Sequence, residues 1–153
     1  MKRFLSLLLV SVSLLGGCKK EPEKKEEETH EFVEPHYNEV EDLHIHWNTL
    51  FDQPEEDYYV YVYFVMCTAC SSIREQITSV AKSGEVKIYF VYPSDDVPFT
   101  DDLDVANASL GQSNLENVNV YMTPTLIEVK NKVISTFTND YSTIKNFLDS
   151  FGE

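Results

Sequence analysis

Apolar and polar positions divide the chain into an apolar N-terminal run, a charged stretch almost without apolar residues, and a patterned region from about residue 39 onward. The strongest block in the patterned region is Tyr58–Met66, YYVYVYFVM, in which every residue is apolar or aromatic. Apolarity without a two-residue alternation suits a strand covered on both faces, so this block predicts a central strand. Directly after it, Cys70, Ile73, Ile77, Val80 and Ala81 recur at helical spacing while Arg74, Glu75, Gln76 and Lys82 fall elsewhere. A helix therefore begins near Cys67, with Gly84 as its stop. Val86–Tyr92 is a second β-rich run ended by Pro93. Strand, helix and strand of this length make a right-handed βαβ unit with parallel strands.

The remaining elements follow from the same two periods. Within His44–Gln53, Trp47, Leu50 and Phe51 lie at helical spacing ahead of Pro54, which predicts a short helix packed on the sheet. Pro93–Val120 is polar and weakly patterned; Thr100, followed by Asp101 and Asp102, is placed to cap a helix through about Ala108, with Leu103, Ala106 and Leu110 facing inward. Thr125–Val129 and Lys132–Phe137 are β-rich segments around Lys130-Asn131, a tight hairpin in which Asn tolerates the positive φ that such turns need. Tyr141, Ile144, Phe147, Leu148 and Phe151 mark a C-terminal amphipathic helix. The order is βαβ, a crossover, then ββα, which is an α/β domain.

The N-terminal run changes the picture of where the domain works. Lys2 and Arg3 precede an apolar stretch, Phe4–Leu15, and small residues lead into Cys18. This is the pattern of a secretory signal, too short for a stable membrane span. The ending Leu15-Gly16-Gly17-Cys18 resembles a bacterial lipoprotein signal, which implies removal of residues 1–17 and acylation of Cys18; an ordinary cleaved signal with an incidental cysteine is the alternative. Residues 18–38 hold charge and few apolar side chains, so they form a solvated tether with a reach on the order of 25 Å. Cleavage would remove Lys2 and Arg3, leaving 10 of the 12 basic residues against 26 acidic ones, a formal −16. That balance argues against nucleic acid as a partner and against gripping an anionic surface by charge. Lipid on Cys18 would instead hold the protein at the extracytoplasmic face of a bacterial membrane. Residues 39–153, roughly 115, suit one domain without internal repeats, and a monomer is expected.

Of three cysteines, lipid would take Cys18 and leave Cys67 and Cys70. Three positions apart in a first helical turn, the pair has Cβ atoms about 5–6 Å apart, close enough for a small adjustment to bridge them. Cys67, at the helix start, meets backbone N–H groups and the positive end of the helix dipole, which favours its thiolate and hence nucleophilic attack. Cys70 sits one turn deeper, as a resolving thiol should. A purely structural disulfide, or two buried core cysteines, stands beside this reading.

Val60–Cys70, VYVYFVMCTAC, and Tyr121–Val129, YMTPTLIEV, together resemble the thioredoxin-like superfamily: the first its strand leading into a Cys-x-x-Cys helix, the second its Thr-Pro-Thr strand entry. The resemblance spans roughly Leu43 to Phe151. It implies a thioredoxin-like fold, a central four-stranded mixed sheet in order 4-3-1-2 flanked by helices, with the third strand antiparallel. It also implies that Pro124 is cis and faces the Cys67–Cys70 pair, with the Thr123 backbone available to an extended substrate. Four residues depart from the pattern. Met66 stands where many relatives have tryptophan, Thr68-Ala69 where thioredoxins have Gly-Pro, and Tyr61 where a buried acid accepts a proton. Such positions tune thiolate stability, so the resemblance carries exchange chemistry without its direction.

The function expected is that of a membrane-anchored, extracytoplasmic thiol–disulfide oxidoreductase acting on exported proteins. Cys67 and Cys70 would be catalytic and Thr123 and Pro124 would contact substrate. No bound cofactor or metal is expected, and an external redox partner would regenerate the pair. Two other readings stay open. One is a redox-inert module that binds peptides or serves a secretion or bacteriocin system. The other is a metal-handling lipoprotein using Cys67 and Cys70 with His44 and His46, whose plainer reading is as exposed residues flanking Ile45.

Overall fold

The structure is a computed structural model of the chain, and it describes residues 37–93 and 96–151. The expected signal, Cys18 and the expected tether up to residue 36 lie outside the described residues. The elements are β1 (Asp57–Val62), α1 (Thr68–Ser83), β2 (Ile88–Val91), α2 (Leu103–Asn107), β3 (Thr125–Lys130), β4 (Val133–Thr138) and α3 (Tyr141–Asp149), with 3₁₀ turns at Asn38–Leu43, Trp47–Thr49 and Leu115–Asn117.

Among the described residues the strands form one four-stranded sheet in order β2-β1-β3-β4, the expected 4-3-1-2 arrangement counted from the other edge. β1 runs parallel to β2, from Tyr59 opposite Ile88 to Val62 opposite Val91. It runs antiparallel to β3, from Asp57 opposite Lys130 to Val62 opposite Thr125. β3 and β4 form the antiparallel hairpin, with a register shift between Glu128 and Val129.

The uninterrupted apolar run of β1 follows from its place between two cores. Tyr61 and Tyr63 join Ile73, Ile77, Phe90, Ile144 and Leu148 in one core, beneath α1 and α3. Tyr58, Val60 and Val62 join Trp47, Leu50, Val91, Val120 and Ile127 on the opposite face. Successive strand side chains point to opposite faces, so the positions of β1 from Tyr58 to Val62 are all apolar or aromatic, while Asp57 at its start is exposed. In α1 the helical stripe Cys70, Ile73, Ile77, Val80 and Ala81 is buried as expected. Ile144 and Leu148 anchor α3, and burying each contributes on the order of 1.5–3 kcal/mol.

Several expectations shift. β1 stops at Val62, four residues before the apolar run ends, because Tyr63–Met66 turn out of the sheet toward α1. The short helix expected in His44–Gln53 is a 3₁₀ turn, with the Leu50 N–H donating to the Trp47 carbonyl at 3.0 Å, although Trp47 and Leu50 are buried as anticipated. His44 is not a free edge residue: its Nδ1 lies 3.1 Å from the Val40 carbonyl oxygen and its Nε2 2.9 Å from the Tyr63 hydroxyl. The Ile45 N–H also donates to the Phe90 carbonyl at 2.9 Å, covering part of the β2 edge.

In the crossover, the cap of α2 is Asp102, whose Oδ1 accepts from the Asp104 N–H at 2.9 Å, rather than Thr100. Ala106 faces inward, but Leu103 and Leu110 are exposed. Leu103 sits at the first helical position, where a Cβ tilted toward the N-terminus carries the side chain past the helix end; Leu110 lies beyond the short helix altogether. The hairpin turn is Asn131-Lys132, one residue later than expected, and both residues have positive φ, 50° and 63°. Tyr37, which the sequence pattern leaves in the tether, is buried in the core beneath α1.

Candidate functional site

The register of β1 against β3 builds the site. Because Val62 at the end of β1 lies opposite Thr125 at the start of β3, the loop entering α1 and the loop entering β3 emerge at the same end of the sheet. The first carries Cys67 and the second carries Thr123 and Pro124.

Cys67 is the N-cap of α1, in extended conformation, and its Sγ accepts the Cys70 N–H at 3.1 Å. A sulfur there takes up one of the N–H groups that a helix start leaves unsatisfied, and the same bond favours negative charge on it. The Ser71 N–H and hydroxyl both donate to the Cys67 carbonyl, at 3.0 and 3.2 Å. Cys67 and Cys70 form a disulfide with Cα atoms 5.2 Å apart. The two sulfurs meet different surroundings: Cys67 is half-buried and reaches the surface, whereas Cys70 is 1% exposed.

Across from the pair, the Thr123–Pro124 peptide bond is cis and Pro124 is buried. The Thr123 carbonyl oxygen lies 3.3 Å from Cys67 Sγ, and the Thr125 hydroxyl donates to the Met122 carbonyl at 2.6 Å, fixing the loop. The structure thus brings together Cys67, Cys70, Thr123 and Pro124, the four residues singled out by sequence. Around them, Met66 (79% exposed), Met122 and Phe64 present apolar surface, with Phe64 stacked on Tyr92 at 5.9 Å between centroids.

Behind the disulfide, Tyr61 stands at the position expected for a buried acid. Burial, with the neighbouring Tyr37 and Tyr63, pushes its hydroxyl far above the ordinary tyrosine range, so it remains a neutral phenol. One residue that sequence reasoning missed completes this side. The Tyr37 hydroxyl donates to the Cys70 carbonyl oxygen at 3.2 Å and lies 3.5 Å from the Tyr61 hydroxyl. Burial raises the Tyr37 pKa too, partly offset by its bond to Tyr61 and the Arg74 guanidinium, which sits 5.5 Å over its ring. A groove of about 630 Å³ opens here, lined by Tyr37, Phe64, Cys70, Ser72, Arg74 and Glu75 among others. The spacing of Tyr37 and Val40, both buried at i, i+3, was the sequence signal available for it.

No protein-family model matches the chain, and no curated protein matches it. Solved structures similar to it include thioredoxins. Thioredoxin f2 of Chlamydomonas reinhardtii is 14% identical, over 71% of this chain and 94% of that one, with a TM-score of 0.47. Mitochondrial thioredoxin 3 of Saccharomyces cerevisiae, in its oxidized form, is 12% identical over 70% and 92%, with a TM-score of 0.43. Spinach chloroplast thioredoxin f is 9% identical over 72% and 85%, with a TM-score of 0.44.

Proposed function

We propose that this chain, which has the thioredoxin-like fold, is a thiol–disulfide oxidoreductase, held at the extracytoplasmic face of a bacterial membrane by lipid on Cys18 and exchanging disulfides with exported proteins. The observation that carries the reading is the asymmetry of the pair: Cys67 reaches solvent at a helix N-terminus beside the Thr123–Pro124 loop, while Cys70 is buried one turn deeper. A structural disulfide needs no such arrangement.

In the reducing direction, Cys67 thiolate attacks one sulfur of a substrate disulfide and expels the other as thiolate, forming a mixed disulfide. Cys70 then loses its proton and attacks Cys67 Sγ. The substrate's remaining sulfur leaves as a second thiolate, and the Cys67–Cys70 bond of this structure is restored. In the oxidising direction a substrate thiolate attacks Cys67, the accessible sulfur, and the steps run in reverse. The exposed Met66, Met122 and Phe64 give an apolar rim against which a substrate chain packs, and the Thr123 carbonyl faces the reacting sulfur. Both electrons reside in the cysteine pair, so the exchange requires no bound cofactor; an external dithiol or disulfide partner returns the pair to its starting state.

The test is a trap in a bacterium expressing the full chain. Cys70→Ala should accumulate adducts with exported proteins that dissolve on treatment with dithiothreitol, found in the membrane fraction. Cys67→Ala should form none, and Cys18→Ser should release the Cys70→Ala adducts from the membrane. Absence of adducts in Cys70→Ala would contradict the exchange chemistry; adducts that stay membrane-bound without Cys18 would contradict the anchor alone.

A further inference from the structure

Tyr37, just ahead of the first 3₁₀ turn, reaches the redox pair through the Cys70 carbonyl. Its ring is fixed by Tyr63 at 4.1 Å and Phe90 at 5.4 Å between centroids, so its hydroxyl is delivered to the Cys70 carbonyl by a rigid body rather than by a mobile arm. That carbonyl belongs to the first turn of α1, the end of a helix most prone to local opening. The bond crosses 33 positions of sequence and ties this turn to the residue just ahead of the 3₁₀ turn Asn38–Leu43.

We propose that Tyr37 is a positioning residue for the resolving step: its hydroxyl, bonded to the Cys70 carbonyl, holds Cys70 within reach of the Cys67 mixed disulfide. The inference rests on the exchange chemistry proposed above. While Cys67 carries a substrate sulfur, the Cys67–Cys70 bond no longer fixes the first turn. The rate of resolution then depends on how often Cys70 Sγ stands in line with the Cys67 sulfur bond, and a small misplacement lowers an intramolecular rate steeply. The attack on substrate uses Cys67, whose own carbonyl is held by Ser71 and not by Tyr37. Loss of the Tyr37 hydroxyl should therefore slow the second step and leave the first alone. Burial keeps that hydroxyl protonated through neutral pH, so it acts as a donor and not as a base.

The experiment is rapid mixing of the reduced full chain with the aromatic disulfide 5,5′-dithiobis(2-nitrobenzoate). Attack by Cys67 releases one thionitrobenzoate anion and leaves the other bonded to Cys67. Attack by Cys70, after its proton passes to solvent, releases the second and closes the disulfide. In Tyr37→Phe, which keeps the ring packing, the second phase should slow roughly fivefold, the worth of one neutral hydrogen bond, with the first phase unchanged. Across a pH series its plateau should fall while its midpoint stays, the mark of lost position rather than altered ionisation. Tyr61→Phe, which removes the neighbouring hydroxyl but not the bond to Cys70, should leave both phases as in the parent. A parental second phase in Tyr37→Phe, an equal slowing of both phases, or an equal effect of Tyr61→Phe would each overturn the inference while leaving the exchange reading in place. Release of a single equivalent by the parent chain would overturn both.

Discussion

Cys67 and Cys70 share a helical turn, yet they stand in different surroundings. One sulfur caps the helix and meets the surface; the other is buried in the core beneath α1. A second residue whose surroundings fix its state is Glu128 in β3. Burial works against its charge, but bonds from Lys130, Ser135, Tyr59 and Thr136 outweigh it and hold the carboxyl at about 2, below its ordinary 4.5. The Tyr59 hydroxyl donates at 2.7 Å, and the Ser135 and Thr136 hydroxyls at 2.7 and 2.9 Å. A carboxyl depressed in the folded state stabilises it above the unfolded pKa, and the stabilisation is lost as pH falls through the folded one. Glu128→Gln should therefore unfold at a lower temperature than the parent at pH 7, with the gap closing between about pH 4.5 and 2. A gap that stays constant over that range would show that shape, and not charge, is what Glu128 supplies.

The elements differ in how plainly the sequence announces them. β1 and α1 were legible because each is governed by one strong pattern: continuous apolarity for a strand covered twice, and a 3.6-residue stripe for a helix on the sheet. Gly84 as the stop of α1 was legible as well. It adopts φ +74°, and a Cβ placed on it would meet nothing within 4 Å. Gly84→Ala should therefore cost about 1 kcal/mol, from backbone conformation alone. Denaturant unfolding checks this, and an unchanged midpoint would contradict it. The crossover was less legible: α2 has five residues, too few for a period to show, and its cap, Asp102, lies among three aspartates that compete for the role. Of the site, Cys67, Cys70, Thr123 and Pro124 were visible as motifs. Tyr37 was not, because its one signal, the i, i+3 spacing with Val40, is too short to stand out as a period after a charged stretch, and its partner, the Cys70 carbonyl, has no sequence signature. His44 was hidden for the same reason, its partners being Tyr63 and a backbone carbonyl.

At the scale of the molecule, the sheet is covered on both faces, and its two central strands meet the site at one end. The cores flank the strands whose ends bear the loops of Cys67 and Thr123. The chain's net negative charge, formally −14, opposes thiolate formation, while the helix start and the Cys70 N–H favour it. Their balance sets the reduction potential of the pair, which tests the central claim most directly. In the purified chain equilibrated with glutathione or dithiothreitol buffers, an exchanging pair should give a single two-electron midpoint between about −120 and −270 mV, the span from strong oxidants to thioredoxin-type reductants. A midpoint below about −300 mV, or no equilibration with either buffer, would contradict the claim and make the Cys67–Cys70 bond a structural one.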